Sequence, residues 1–154
     1  VVGDRFLEDV AVGEVAVDGP VVVSAEEIVA FGMAYDPQPF HTDAVAAGAG
    51  PFGSLIASGW HLAALVMRQI VDAAPYGGTP ILGMGLDELR WLHPVRPGDS
   101  LAIRREIVGM KRSVSKPDRG VIRTRIEVTN QLGVMVMTMT TLSQMPARSP
   151  ALPG

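Results

Sequence analysis

Apolar and polar positions follow two rhythms along this chain, and the second half of the sequence alternates. Ile122, Thr124, Ile126 and Val128 interleave with Arg123, Arg125, Glu127 and Thr129. Leu101, Ile103 and Ile107 interleave in the same way with Ala102, Arg104, Glu106 and Val108. A period of two places each set on its own face of a half-buried strand. A third β-rich run covers 134–142. The stretches Arg96-Pro97-Gly98-Asp99, Lys116-Pro117-Asp118-Arg119-Gly120 and Asn130-Gln131-Leu132-Gly133 carry the residues of tight turns between strands.

The first half moves to a helical rhythm after a short strand at 21–23. Ser24 and Glu27 have the spacing of a capping box, and Ile28, Phe31 and Tyr35 then recur on one face. That helix must end where Asp36-Pro37 begins, because a residue before proline is pushed out of the α region. A second helix is predicted from Ser58 or Gly59. Trp60, Ala63, Ala64, Met67, Ile70 and Val71 line one side of it, and Leu62, Leu65 and Val66 make most of the other side apolar. A helix apolar nearly all round is expected to be buried. One buried helix and several strands joined by tight turns predict an α+β fold, an antiparallel sheet wrapped around that helix.

Composition narrows the picture. With 154 residues, 47% of them hydrophobic, the chain can bury the core of one domain, expected over 1–145. The last stretch, 146–154, reads PARSPALPG and is expected to be a disordered tail. A net charge of -3 supplies no electrostatic reason to bind nucleic acid or an anionic membrane, so small molecules or a second copy are the expected partners. Without cysteine there is no thiol nucleophile, disulfide or thiolate metal site. The longest apolar run, 55–67, is broken by Ser58 and His61 and falls short of the roughly 20 residues that span a bilayer. The first residues, VVGDRFLEDV, lack the basic start and apolar segment of a signal peptide, and a cytoplasmic protein is expected.

Chemistry concentrates at 36–41, DPQPFH. In an extended chain, side chains five positions apart point to opposite faces. Pro37 and Pro39 fix their own φ and restrict Asp36 and Gln38, so a stiff bend can aim Asp36 and His41 at one point. Preorganisation of that kind is what general acid/base work requires. A plain turn explains Asp36 equally well but leaves His41 unexplained. The second candidate is Ser58-Gly59 at the start of the apolar helix. Its first N–H groups lack partners and carry the positive end of the helix dipole, and Gly59 has no side chain to obstruct a carbonyl approaching them. An ordinary Ser58 N-cap is the bland alternative.

Other constellations are weaker. His61 is expected to be a structurally satisfied imidazole, and His93 to pack or face solvent. A metal site from His41, Asp43 and His61 has a distant third ligand, and none is expected. No G-x-S-x-G elbow surrounds Ser58, and no Walker A or G-x-G-x-x-G stretch is present. Met135, Met137 and Met139 at strand spacing are expected to fill core or interface.

Several stretches in order resemble the MaoC-like dehydratases, which include the (R)-specific enoyl-CoA hydratases. They are DPQPFHTD at 36–43, PFGSLIASGWH at 51–61, LRWLHPVRPGDSL at 89–101, SVSKPDRG at 113–120 and VTNQLG at 128–133. The resemblance implies a hotdog fold, a curved antiparallel sheet around a long central helix, paired with a second copy. It places Asp36 and His41 on the catalytic pair, Pro39 on the motif's proline and Gly59 on the glycine whose N–H holds the thioester carbonyl, with Ser58 supporting that turn. Gln38 departs from the Asn found in many hydratases, which bears on substrate range and rate. The implied reaction is reversible addition of water to a trans-2-enoyl-CoA, or a similar acyl thioester, to give an (R)-3-hydroxyacyl thioester. No cofactor is expected beyond the CoA thioester itself as substrate. A thioesterase on the same fold and a non-catalytic acyl-CoA-binding module are the competing readings. Arg90, Arg96, Lys111, Arg112 and Lys116 are cations available to CoA phosphates, and a solvated face explains them as well.

Overall fold

The computed structural model describes residues 2–148. Strands β1 (Val15–Val22), β2 (Leu82–Trp91), β3 (Ser100–Arg112), β4 (Arg119–Thr129) and β5 (Met135–Pro146) form one antiparallel sheet in the order β1-β3-β4-β5-β2. Helices α1 (Ala25–Tyr35), α2 (Pro39–Thr42), α3 (Ala44–Ala49) and α4 (Gly59–Ala73) all lie between β1 and β2 in the chain. This is the α+β hotdog arrangement expected from the sequence.

The alternation in the second half does what a period of two demands. Leu101, Ile103 and Ile107 of β3 are buried, as are Ile122, Ile126 and Val128 of β4, while their neighbours turn outward. Register joins them in rows across the sheet: Ile103 opposes Val128, Arg105 opposes Ile126, and Ile126 opposes Met139. Met137 and Met139 are fully buried core residues, as expected of the Met run. Leu62 and Val66 of α4 belong to the same apolar cluster as Leu101, Ile103, Ile126 and Val128. Burying each such side chain stabilises the fold by about 1.5–3 kcal/mol.

Several expectations change. The strand anticipated at 21–23 is the end of the longer β1, whose pattern is interrupted by a bulge between Asp18 and Val21 and whose edge position leaves Val15 and Val17 exposed. In α1, the Ser24 hydroxyl accepts the Glu27 N–H at 3.1 Å. The buried face is Ile28 with Gly32, however, and Tyr35 is exposed, its ring resting on Phe31. Helix α4 is buried on one side only. His61, Leu62 and Val66 face inward, whereas Trp60, Ala64, Met67 and Val71 form an open apolar stripe, because a single sheet covers only one side of the helix.

The first three residues of the expected tail are ordered. Pro146 closes β5 opposite Arg119, Ala147 donates its N–H to the Asp118 carbonyl at 2.8 Å and packs with Leu7, Val10 and Met145, and Arg148 pairs with Asp9. Strand pairing and a second small core, rather than composition, decide the fate of these three residues. The rest of the expected tail, 149–154, lies outside the described residues.

Candidate active site

The site is assembled from two loops and a helix start. Asp36 is the C-cap of α1, in a non-helical conformation with φ -148° and ψ 68°. Pro39 then opens α2 at its first turn, where its missing N–H removes no helical hydrogen bond. Within α2 the buried His41 turns back toward Asp36. The approach of α2 to α1 depends on Gly32: a Cβ there would sit 3.0 Å from both the Cβ and the carbonyl oxygen of His41.

His41 Nε2 lies 3.1 Å from Asp36 Oδ2. On the other side of the ring, Nδ1 is 2.6 Å from the Ile56 carbonyl oxygen. A carbonyl can only accept, so Nδ1 carries hydrogen, and Nε2 is the nitrogen that faces the carboxylate. A neutral imidazole presents a lone pair there, and two acceptors then face each other. At 3.1 Å the two atoms are too close for a water to stand between them, so the contact is a hydrogen bond when one of them carries a proton.

Asp36 has further partners. Gln38 Nε2 donates to Oδ1 at 2.6 Å, and Ser58 Oγ donates to Oδ2 at 2.7 Å. Gln38 first and Ser58 second hold the Asp36 carboxyl below the usual carboxylate range, against a desolvation effect of opposite sign; the neighbouring His41 adds to the lowering. Asp36 is therefore ionised at neutral pH. The extra methylene of Gln38 does not prevent its amide from reaching the carboxylate two residues earlier.

Ser58 occupies the N-cap position of α4 but makes no side-chain cap bond. Its hydroxyl donates to Asp36 instead, so Ser58, expected to support this turn beside Gly59, positions the carboxylate. Gly59, the first residue of α4, shares with His41 the wall of a cavity of about 270 Å³ that also involves Leu62, Trp91 and His93. Its N–H belongs to the first turn, whose N–H groups have no intrahelical acceptor. The need for glycine has a second cause that the sequence did not reveal. A Cβ at 59 would lie 2.3 Å from Cε2 of Trp91, so the indole itself occupies the space over this glycine.

The remaining histidines separate from this pair. His93 is exposed at the cavity wall. His61 stacks on Phe31, with ring centroids 5.1 Å apart, and burial pushes its pKa down. Its buried Nδ1 has no partner among the described residues, in place of the satisfied imidazole expected, and the ring packs through its stack on Phe31. Asp43 caps α3 through the N–H groups of Val45 and Ala46. Among the described residues, no cluster of three or more His, Asp or Glu side chains is placed to hold a metal ion. No described helix is long and apolar enough to cross a membrane.

Known proteins are similar to this chain in sequence and fold. A family model described as the MaoC like domain matches residues 10–131. A crystal structure of a MaoC-like dehydratase from Rhodospirillum rubrum is 38% identical and superimposes with a TM-score of 0.84, covering 95% of this chain and 99% of that one. The unliganded R-hydratase PhaJ1 of Pseudomonas aeruginosa, 24% identical, shares the fold with a TM-score of 0.76 over 98% of this chain and 95% of its own. The 3-hydroxyacyl-thioester dehydratase Z of Mycobacterium tuberculosis is 30% identical over 110 residues, 70% of this chain and 73% of that protein. With the family model spanning most of the hotdog domain, the chain belongs to the MaoC-like dehydratase family.

Proposed function

We propose that the protein is a hydro-lyase that reversibly adds water to a trans-2-enoyl-CoA, or a similar acyl thioester, to give an (R)-3-hydroxyacyl thioester. The observation that carries this reading is the pair itself, His41 Nε2 at 3.1 Å from Asp36 Oδ2 with Nδ1 tethered to the Ile56 carbonyl. A water hydrogen-bonded to both Asp36 and His41 attacks C3 of the enoyl group. As the C3–O bond forms, Asp36 takes one water proton and the proton on His41 Nε2 goes to C2; the proton on Asp36 then passes to Nε2 across the 3.1 Å contact, which restores both side chains. Negative charge gathers on the thioester oxygen as C3 is attacked, and the free Gly59 N–H at the positive end of α4 stabilises it there. The reaction needs no cofactor, the CoA thioester being the substrate.

The same geometry disfavours a thioesterase in which Asp36 itself attacks the carbonyl carbon, because both of its oxygens already accept hydrogen bonds. A thioesterase in which Asp36 activates a water is distinguished by thiol release. The reading includes a second copy of the chain. Edge strand β2 exposes Leu82, Met84 and Leu86, and the α4 stripe exposes Trp60, Met67 and Val71. Unpaired strand edges and apolar surface of this kind call for a partner.

The test follows enoyl-thioester absorbance with crotonyl-CoA and longer trans-2-enoyl-CoAs, together with a thiol assay. Wild type should lose the band without releasing thiol, and Asp36→Asn and His41→Gln should each abolish that loss. Thiol release would establish a thioesterase instead. A folded wild-type protein that leaves every chain length unchanged would sink the hydratase reading.

A further inference from the structure

The sheet face that packs on α4 is apolar near the catalytic end and then changes character. The row Ile126–Met139 is hydrocarbon, but the next cross-strand pair on the same face is Thr124–Thr141, and the one after it is Ile122–Ser143. On β3, Arg105 stands opposite Ile126 on this face. These groups line a cavity of about 360 Å³ beneath the C-terminal half of α4, roofed by Met67, Ile70 and Val71. One wall is therefore hydrocarbon and the other carries hydroxyls. Thr79, also in that wall, has a buried hydroxyl oxygen with no partner among the described residues. Polar groups on a core-facing surface are costly unless something bonds to them, so a wall of this composition suits an occupant with its own hydrogen-bonding atom.

We infer that this cavity receives the far end of the substrate's acyl chain, and that the preferred chain carries a neutral oxygen function, a hydroxyl or ketone, facing Thr141 and Ser143. The inference rests on the acyl-thioester reading above and adds the class of chain. Met67 and Ile70 of α4 line the cavity, with a rise of roughly 12 Å between positions 59 and 67. A chain of medium length spans that distance with its apolar part against Met67 and Ile70. The charge balance selects a neutral tail. Arg105 is the cation in the wall, and Asp18 already engages it through both oxygens, with each side chain 10% exposed. The pair leaves no net positive charge to attract a carboxylate.

Binding is measured calorimetrically with saturated acyl-CoAs of one medium length, which cannot be hydrated: a plain chain, one with a terminal hydroxyl and one with a terminal carboxylate. The hydroxylated chain should bind about fivefold more tightly than the plain one, as one added hydrogen bond of ordinary strength provides. Thr141→Val and Ser143→Ala, each checked for unchanged melting, should bring that ratio toward one. Equal or tighter binding of the plain chain, tightest binding of the carboxylate, a ratio untouched by both variants, or no acyl-CoA binding at all would each overturn the inference. Because the measurement does not depend on turnover, preserved selectivity without enoyl hydration would sink the hydratase reading alone. Hydration without selectivity would sink this one alone.

Discussion

Replacing Ser58 with alanine tests the logic of the site most directly. Ser58 is 1% exposed, and its hydroxyl donates to Asp36 Oδ2 at 2.7 Å while accepting no cap bond from an N–H of α4. A hydrogen bond to a charged acceptor contributes about 1.5–3 kcal/mol. The Asp36 side chain keeps 21% of its exposure, so water replaces part of the loss and the lower end applies, about 1.5 kcal/mol. Gln38 remains to hold Oδ1, but the carboxyl loses one of the two bonds that chiefly depress its pKa, which must rise.

The sign of the pH dependence follows. A depressed carboxylate contributes stability that is fully present above its unfolded value, about 3.9, and is lost as pH falls through its folded value. Raising the folded value reduces that contribution, so wild type and Ser58→Ala should differ most near neutrality and converge on acidification. Urea unfolding at pH 7, with a slope of about 1–3 kcal/mol per molar, should place the variant's midpoint about 0.5–1.5 M lower. The acid limb of kcat/KM for enoyl-CoA hydration should move to higher pH. A stability difference that is the same at every pH, or an acid limb that stays in place, would refute the argument and reduce Ser58 to a packing residue.

Two further outcomes are expected. Gly59→Ala places a methyl 2.3 Å from the Trp91 ring, and overpacking of this kind costs about 1–3 kcal/mol; the melting temperature should fall and the tryptophan emission should change, and an unchanged spectrum with unchanged melting would show that the indole is not held over this glycine. Asp18→Asn strands the Arg105 charge in a site that is 10% exposed, which costs about 3–5 kcal/mol, and Asp18→Asn with Arg105→Met should recover much of it. Equal losses in the single and double variants, read by urea midpoints, would contradict a buried ion pair.

The sequence by itself determined which chemistry was available and where. The spacing of DPQPFH and its two prolines pointed to Asp36 and His41, because restricted φ and ψ act locally and are legible in order along the chain. Alternation in 101–107 and 122–128 foretold the buried face of the sheet for the same reason: the period of a strand is a property of the backbone. Contacts between distant segments were the part only the tertiary structure could decide. Ser58 looked like a helix cap until the fold brought Asp36, 22 residues earlier in the chain, within 2.7 Å of its hydroxyl. Gly59 needs to be glycine partly because Trp91 arrives from strand β2, and the Ile56 carbonyl sets the His41 tautomer from a loop of its own. Arg105 falls in the apolar register of β3, and its reason, Asp18 on the neighbouring strand, is 87 residues away. An all-apolar α4 suggested complete burial, but composition cannot say how many sides one sheet will cover. A helix reads its own period from its residues, whereas the partner on each face is supplied by the rest of the molecule.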